Sequence, residues 1–561
     1  MRRRPNTTLT LLFMILFGGS CIRRQESPPH APLADAESTI EFLDVTGEVG
    51  IRFTSRNGQE SETYSIAQTL GCGGAAFDFD HDGVADFYLV GGGTISQNLE
   101  LSGLPGALFR GQDGTRFQDA TKASGTLGGD FYSHGIAVSD FNADGFDDFL
   151  ITGYQGLLLF QNQGDGTFIQ VAQTVGIADC QWSTGAAWGD FNGDGLADLY
   201  IVQYLDWSKT NHPICRPTGT QQDVCGPEKF RGLGDLLYLN HGDGTLVDAS
   251  SQCGLRNDGK GLGVVLVDIN NDGALDIYVA NDTDDNFLYL NDSTGRFKEI
   301  GIISGTAQDD SGFANGSMGV SVLDFNHDSK ADLWVTNFEN DSFALYRNDG
   351  QGTFTHTSGA TGIFTLGSSY VGWGTITDDL DNDGTEEIIV TNGHVEVFPR
   401  SGEVAQLPVV LKNRNGTFEK LSFEPSTYLG KRHSGRGLFK CDFDNDGSWD
   451  LGFCNLNEPF HLLRNETTGD RKWLGTRLIG VLSDRKAVGA KVVMVADGES
   501  RTQFVVGGGS YLSHNDSRLL WSLPANTKRA TIEVHWPSGK IQRSEVTEFQ
   551  RYIDVVEPRG D

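Results

Sequence analysis

Seven stretches of this sequence place carboxylates where they could hold a hard cation. They are DFDHDGVAD (78–86), DFNADGFDD (140–148), DFNGDGLAD (190–198), DINNDGALD (268–276), DFNHDSKAD (324–332), DLDNDGTEE (379–387) and DFDNDGSWD (442–450). Each carries an acid at positions one, five and nine, and Asp or Asn at position three. Calcium takes six to eight oxygens at about 2.3–2.6 Å. This spacing turns side-chain oxygens toward one centre, and position seven can add its backbone carbonyl. Glycine at position six permits the positive φ of a sharp turn; the fifth loop has Ser329 there instead. The scheme shares its first half with an EF-hand loop but has no Glu at position 12, so the acid at position nine is the expected bidentate group. One such stretch could equally be a solvated Asx turn. Seven in register predict up to seven Ca²⁺ cages, because uncompensated carboxylates this close would raise one another's pKa.

The expected ligands are Asp78, Asp80, Asp82 and Asp86; Asp140, Asn142, Asp144 and Asp148; Asp190, Asn192, Asp194 and Asp198; and Asp268, Asn270, Asp272 and Asp276. They continue with Asp324, Asn326, Asp328 and Asp332; Asp379, Asp381, Asp383 and Glu387; and Asp442, Asp444, Asp446 and Asp450. The neutral Asn at position three in four loops predicts weaker binding there than in the all-acid loops.

The elements that position these loops can be read from what flanks them. Small apolar residues precede each loop (GGAAF, GIAVS), and a β-type run follows (DFYLV, DLYIV, DLWVT), so each loop joins two strands of a hairpin. Further on, LFQNQGDGTFIQV (159–171), LYLNHGDGTLVDA (237–249) and LYRNDGQGTFTHT (345–357) read as strand, Gly turn, strand. Four antiparallel strands recurring at intervals of 50 to 78 residues, seven times, predict an all-β, seven-bladed propeller over residues 40–472. The seventh unit lacks a fourth strand after LLRNETTGD (462–470). FLDVTGEVGI (42–51) matches the fourth-strand segments of other units, so this N-terminal strand is expected to complete blade seven and remove an exposed edge. From residue 473 to 558 the runs WLGTRLIG, AKVVMVAD, RTQFVVGG, RATIEVHW and RYIDVVE carry no acid loops and predict a small β-sandwich.

With a net charge of −32 over 561 residues, the chain is a poor candidate for nucleic-acid backbones. Arg2–Arg4 followed by LTLLFMILF reads as a signal peptide over residues 1–21, too short to span a bilayer. GGSC ends at Cys21 in the manner of a lipoprotein cleavage site, with 22–39 as a flexible tether. Export permits disulfides; Cys215 and Cys225 are the expected pair, and Cys72, Cys180, Cys253, Cys441 and Cys454 stay unassigned.

The seven loops resemble the FG-GAP/VCBS repeats of integrin α-type propellers. The tail, RKAVGAKVVMVADG with GGGSYLSHNDSRLLWSL and VHWPSGKIQ, resembles the ASPIC/UnbV domain. The combination, with GWGTITDDLDNDG, TNGHV and YLDW, is similar to the cartilage-acidic-protein-1-like family. That resemblance implies an extracellular calcium-binding propeller used for interaction, and some bacterial members lie in enediyne biosynthesis clusters. The expectation is therefore a calcium-stabilised scaffold, monomeric, membrane-bound only through its lipid, whose partner is a protein or polysaccharide. The loop 204–235 is its most elaborate candidate contact. The alternative is an envelope or biosynthetic-cluster enzyme using the central channel, with no catalytic or cofactor-binding residue assigned. No hydrolase, zincin or phosphate-loop motif is present, and His394 is the residue such chemistry would draw on. His514 and Asn515 carry no assigned role. Trp182, Trp188, Trp334 and Trp373 sit beside blade strands and are expected to pack the core.

Overall fold

The computed structural model describes residues 40–559 apart from Asp179, Thr218, Ser368, Ser401 and Asp470. The signal segment, Cys21 and the tether to residue 39 lie outside the described residues.

Seven antiparallel sheets form a propeller. Their innermost strands are Gly74–Phe77, Tyr132–Ser139, Ser183–Gly189, Gly261–Val267, Ser317–Leu323, Gly372–Asp378 and Gly435–Cys441. Each touches the next in order and the last touches the first, which closes the ring. Within a blade the strands pair in sequence order, so every acid loop is the hairpin between the first and second strands. Because the inner strands are equivalent around the axis, all seven loops emerge at one end of the propeller, here called the cage face.

Neighbouring blades approach most closely at a glycine in six of the inner strands. A Cβ at Gly319 would collide with the Trp373 carbonyl, and one at Gly263 with that of Met318. Only hydrogen fits where one blade's backbone rests on the next. Branched aliphatic side chains such as Leu199, Ile201, Leu266 and Ile277 fill the space between sheets.

Blade seven supplies three strands, and its fourth is N-terminal: Phe42, Leu43 and Asp44 pair with Asn465, Arg464 and Leu463. The strand is shorter than the 42–51 expected. It ends at Asp44, whose side chain accepts hydrogen bonds from the Thr46 amide (3.1 Å) and hydroxyl (2.6 Å). A helical turn, Thr46–Val49, follows and buries Val49. Equivalent turns, Thr121–Ser124 and Gly301–Ser304, follow the fourth strands of blades one and four.

The C-terminal strands form a sandwich of two sheets, one three-stranded and one four-stranded, around Leu474, Val492, Met494, Trp521, Ile532 and Val534. In Ala530–His535 the side chains alternate buried and half-buried as the sequence predicts. RTQFVVGG does not run as one strand. Glu499–Phe504 pairs inside the sandwich, whereas Gly507–Gly508 leaves it and adds to the inner edge of blade four, opposite Leu266 and Val265.

The chain then threads the propeller channel. Ser510 exchanges backbone hydrogen bonds with Val320, and its hydroxyl bridges the Leu438 carbonyl (2.6 Å) and the Thr375 amide (3.1 Å). Leu512 accepts from Ile136, and His514 exchanges bonds with Gly74 and Ala76. Tyr511 reaches furthest and donates to the Leu70 carbonyl at 3.0 Å. Inner-edge backbone groups of six blades that would otherwise face a water-filled hole are thus paired by residues 507–516.

Candidate metal centres

Six of the acid loops are built the same way from local bonds: the carboxylate at position one accepts from amides at positions five and six, as when Asp140 takes Asp144 (3.0 Å) and Gly145 (2.8 Å). In loop six Asp379 accepts from Gly384 (2.8 Å), but the Asp383 amide goes to Asp381 (3.2 Å). Residues four and six both sit in the left-handed region: His81 and Gly83, Asn271 and Gly273, Asn445 and Gly447. Ser329 adopts the same conformation at φ 65°, so the fifth loop closes without its glycine.

The position-nine acid is the deepest. Asp86, Asp198, Asp276, Asp332 and Glu387 are fully buried. Where the sequence suggests a bidentate metal ligand, both oxygens of Asp86, Asp148, Asp198, Asp276 and Asp450 already accept backbone bonds, whereas Asp332 and Glu387 each keep one oxygen without a hydrogen-bond partner. Asp276 takes Ile269 (3.1 Å) with one oxygen and Asn291 (2.9 Å) with the other. Each such oxygen keeps one lone pair for a cation. Burial, reinforced by neighbouring acids, pushes Asp148 up to about 9 and Asp198, Asp276 and Asp332 to about 8. An ionised set is therefore disfavoured unless a positive charge shares the cage.

Oxygens from Asp78, Asp80 and Asp86 lie within 4.8 Å of one another, as do those of Asp379, Asp381 and Glu387, and of Asp442, Asp444 and Asp450. One oxygen each of Asp80, Asp379 and Asp444 is buried with no hydrogen-bond partner. In loops one and seven the orphaned anionic oxygens, set among other carboxylates, fit a calcium ion, with the position-one, -three and -five groups as its side-chain ligands. In the other loops position three is an amide, and Asn142, Asn270 and Asn326 donate to the position-five carboxylate while their oxygens accept its amide. Loop six is different: the Lys412 ammonium lies against Asp381, 2.9 Å from Asp383 and 3.8 Å from Glu387.

A further residue belongs to the machinery. The third strand of blades two to seven carries Asn162, Asn240, Asn291, Asn348, Asn413 or Asn465 at or near its end. Each side-chain amide donates to the position-two carbonyl of the preceding blade's loop, as Asn291 does to Phe191 at 2.8 Å and Asn465 to Leu380 at 2.7 Å. In five of these blades the Asn backbone amide also donates to its own blade's position-nine acid. The asparagine thus ties one cage to the next. Its signal is present in LFQN, LYLN and LYRN, at a fixed place in six of the seven repeats; blade one has Gly111 there.

The sandwich sits on the cage face. Lys486 pairs with Asp147 at 2.5 Å, Lys491 donates to the Ser329 carbonyl (2.6 Å), and Ser522 to Asn382 (3.0 Å). At loop seven Arg518 reaches Asn445 (2.6 Å) and the Tyr552 hydroxyl donates to Asp442 (2.6 Å). Over loop one a cleft of about 900 Å³ remains, lined by Asp78, His81, Trp473, Arg477 and Tyr552 among others.

The opposite end is roofed by the insertion 204–235. Cys215 and Cys225 form the expected disulfide. Asp223 accepts the Val397 and Phe398 amides at 2.9 and 2.8 Å, joining this blade-three loop to one from blade six. Tyr204, Trp207, Val224 and Phe230 share one apolar cluster with Trp182, Trp373 and the tip residues Tyr511 and Leu512. Trp188 and Trp334 are buried between blades. His394 Nδ1 accepts the Glu396 amide (3.0 Å), and its buried Nε2 faces Glu339 at 3.3 Å. Burial holds its pKa below the usual histidine range, although Glu339 opposes this. His514 accepts at Nδ1 from Val138 (3.5 Å), and Asn515 from Lys440 (3.0 Å), both as part of the channel segment. Cys72, Cys180, Cys253, Cys441 and Cys454 are buried and outside any disulfide.

These features define a class: a seven-bladed propeller of FG-GAP-like repeats joined to a C-terminal ASPIC and UnbV domain. Residues 140–201, 231–279, 268–335 and 324–390 match the FG-GAP-like repeat, and 480–561 match ASPIC and UnbV. The chain is a distant homologue of cartilage acidic protein 1. It is 26% identical to the human protein over 330 residues and 26% to that of Xenopus tropicalis over 333 residues. These matches take in 58% of this chain and 48% and 49% of the relatives, so the chain spans about half the length of the curated proteins it matches. Solved structures of similar architecture include an Agrocybe aegerita lectin that recognises non-reducing terminal N-acetylglucosamine (16% identity, TM-score 0.38, covering 81% of this chain and all of that one). Another is the BP39L lectin of Burkholderia pseudomallei (9% identity, TM-score 0.40, 71% of this chain and 98% of that one). No ligand is transferred from either.

Proposed function

We propose that this chain is an exported scaffold, anchored through a lipid on Cys21, whose propeller is held together by calcium and whose far face binds a protein or glycan partner. The observation that carries the calcium part is the pair of buried, unpartnered carboxylate oxygens on Asp80 and Asp444, inside the acid clusters of loops one and seven. When bound, calcium would supply the positive charge these acids lack. The chain's own part is to hold their oxygens in register through the position-five and position-six amides and the asparagine ties. With the sandwich on the cage face, the opposite end is the surface left for a partner. It displays Ile214 beside the disulfide, and Phe313 and Phe398 on neighbouring loops, all exposed. Apolar side chains held out on a braced roof suit an interaction surface.

The test is native mass spectrometry of the chelated mature protein titrated with calcium, together with melting curves. Uptake of several ions with a large rise in melting temperature is expected. No uptake, or melting indifferent to calcium, returns the loops to plain acidic turns. Cys21→Ser is expected to move the protein from the membrane to the soluble fraction.

A further inference from the structure

The residue before the asparagine tie differs between blades, and the difference decides what each cage contains. It is Gln161, Leu239 and Leu290 in blades two to four, none of which is a cation. Arg347 and Arg464 turn away to Asp349 and Glu466 on their own hairpins. In blade one the corresponding Arg110 reaches Asp80 and Asp82, but its side chain is 46% exposed and free to swing into water. In blade six the residue is Lys412, whose side chain is 2% exposed. Its ammonium is enclosed by Asp381, Asp383 and Glu387, which are expected cation ligands at positions three, five and nine.

Two more cations close over the same loop from the sandwich. Arg471 donates to the Asp383 carbonyl, and the Arg501 guanidinium packs directly on Gly384. Arg501 is held there by the Ser522 carbonyl at 2.9 Å.

We infer that the sixth cage is neutralised by the protein's own Lys412, so that loop six takes no calcium and anchors the sandwich without it. This rests on the reading that the other loops bind calcium. The ammonium already stands among the carboxylates a divalent ion would need. Moving a buried ammonium out would leave Lys412 without its partners in a low-dielectric seam. The other six loops place no buried lysine or arginine among their position-three, -five and -nine groups, among the described residues.

Counting bound ions by native mass spectrometry tests this. The wild type should saturate at six ions. Asp194→Asn, in loop three, should drop the count to five, whereas Asp381→Asn should leave it at six. Lys412→Met, which keeps the stem and removes the charge, should raise it to seven. A wild-type count of seven, loss of one ion on Asp381→Asn, or a Lys412→Met count fixed at six would each overturn the inference. A wild-type count of zero would instead sink the calcium reading beneath it.

Discussion

Asn291 offers a sharp test of whether the cages are tied together around the ring. The residue is buried, its side-chain amide donates to Phe191 of the preceding loop (2.8 Å) and to Leu275 (3.1 Å), and its side-chain oxygen accepts from Ser293 (3.1 Å) and Gly295 (3.3 Å). Asn291→Ala removes all four bonds and leaves two buried carbonyls unpaired. At roughly 1 kcal/mol net per bond, and allowing for the orphaned carbonyls, the loss should be about 3–5 kcal/mol. Asn291→Asp keeps the acceptor but sets an anion against two carbonyls, so it should cost at least as much. Gln161, half-buried on the third strand of blade two, serves as the control, and Gln161→Ala should cost under about 0.5 kcal/mol. Urea unfolding followed by tryptophan fluorescence, in saturating calcium and again in chelator, reads the difference. Because the Asn291 backbone amide also holds Asp276, the variant should bind calcium more weakly at loop four. An Asn291→Ala midpoint indistinguishable from the control would refute the tie.

Gly319→Ala should cost more than the usual Gly-to-Ala change in a strand, because its Cβ meets the Trp373 carbonyl; a loss of about 2–4 kcal/mol in the same unfolding assay is expected. Tyr511→Ala removes the tip of the channel segment and should cost about 3–5 kcal/mol, with earlier proteolysis of the sandwich as its signature. Replacing Cys215 and Cys225 by serine opens a ten-residue separation and should cost about 2–3 kcal/mol, read as new protease cleavage within 204–235. Burial raises the Asp44 pKa, but hydrogen bonds from His461 and Thr46 outweigh it and bring the group to about 2. That contribution is complete above the unfolded value near 3.8 and fades as pH falls through about 2. The Asp44 side chain is 35% exposed, so only about 1 kcal/mol is expected from it. Asp44→Asn should therefore destabilise at pH 6 and make no difference at pH 2.

The cages and the ring were legible because each is written locally and repeated. Side-chain oxygens recur at one, three, five and nine within a single hairpin, and seven copies expose the period. Closure was legible because FLDV resembles other fourth strands, although the Asx bond at Asp44 ends the strand sooner than the pattern implies. The channel segment was not. SYLSHND has no period, and its partners, from Gly74 to Lys440, are remote in sequence. RTQFVVGG looked like one strand because nothing local says that its glycines pair with a different domain. Lys412 reads as a surface lysine in an alternating strand, and nothing local says that Asp381, Asp383 and Glu387 of the preceding hairpin close around it.

The pairing of Asp44 with its blade-seven partners has a consequence for how the chain is made. His461, which holds the Asp44 carboxylate at 2.7 Å, is separated from it by 417 residues. At about 5–20 residues per second, a ribosome needs on the order of 20–80 s to deliver the second half of that contact after the first has emerged. For that interval the first strand is an orphan, and the early blades can mature only as an open arc. The channel segment arrives later still. Assembly therefore finishes at the seam between oldest and newest residues, and a chain released before residue 465 leaves a horseshoe with one bare edge at each end.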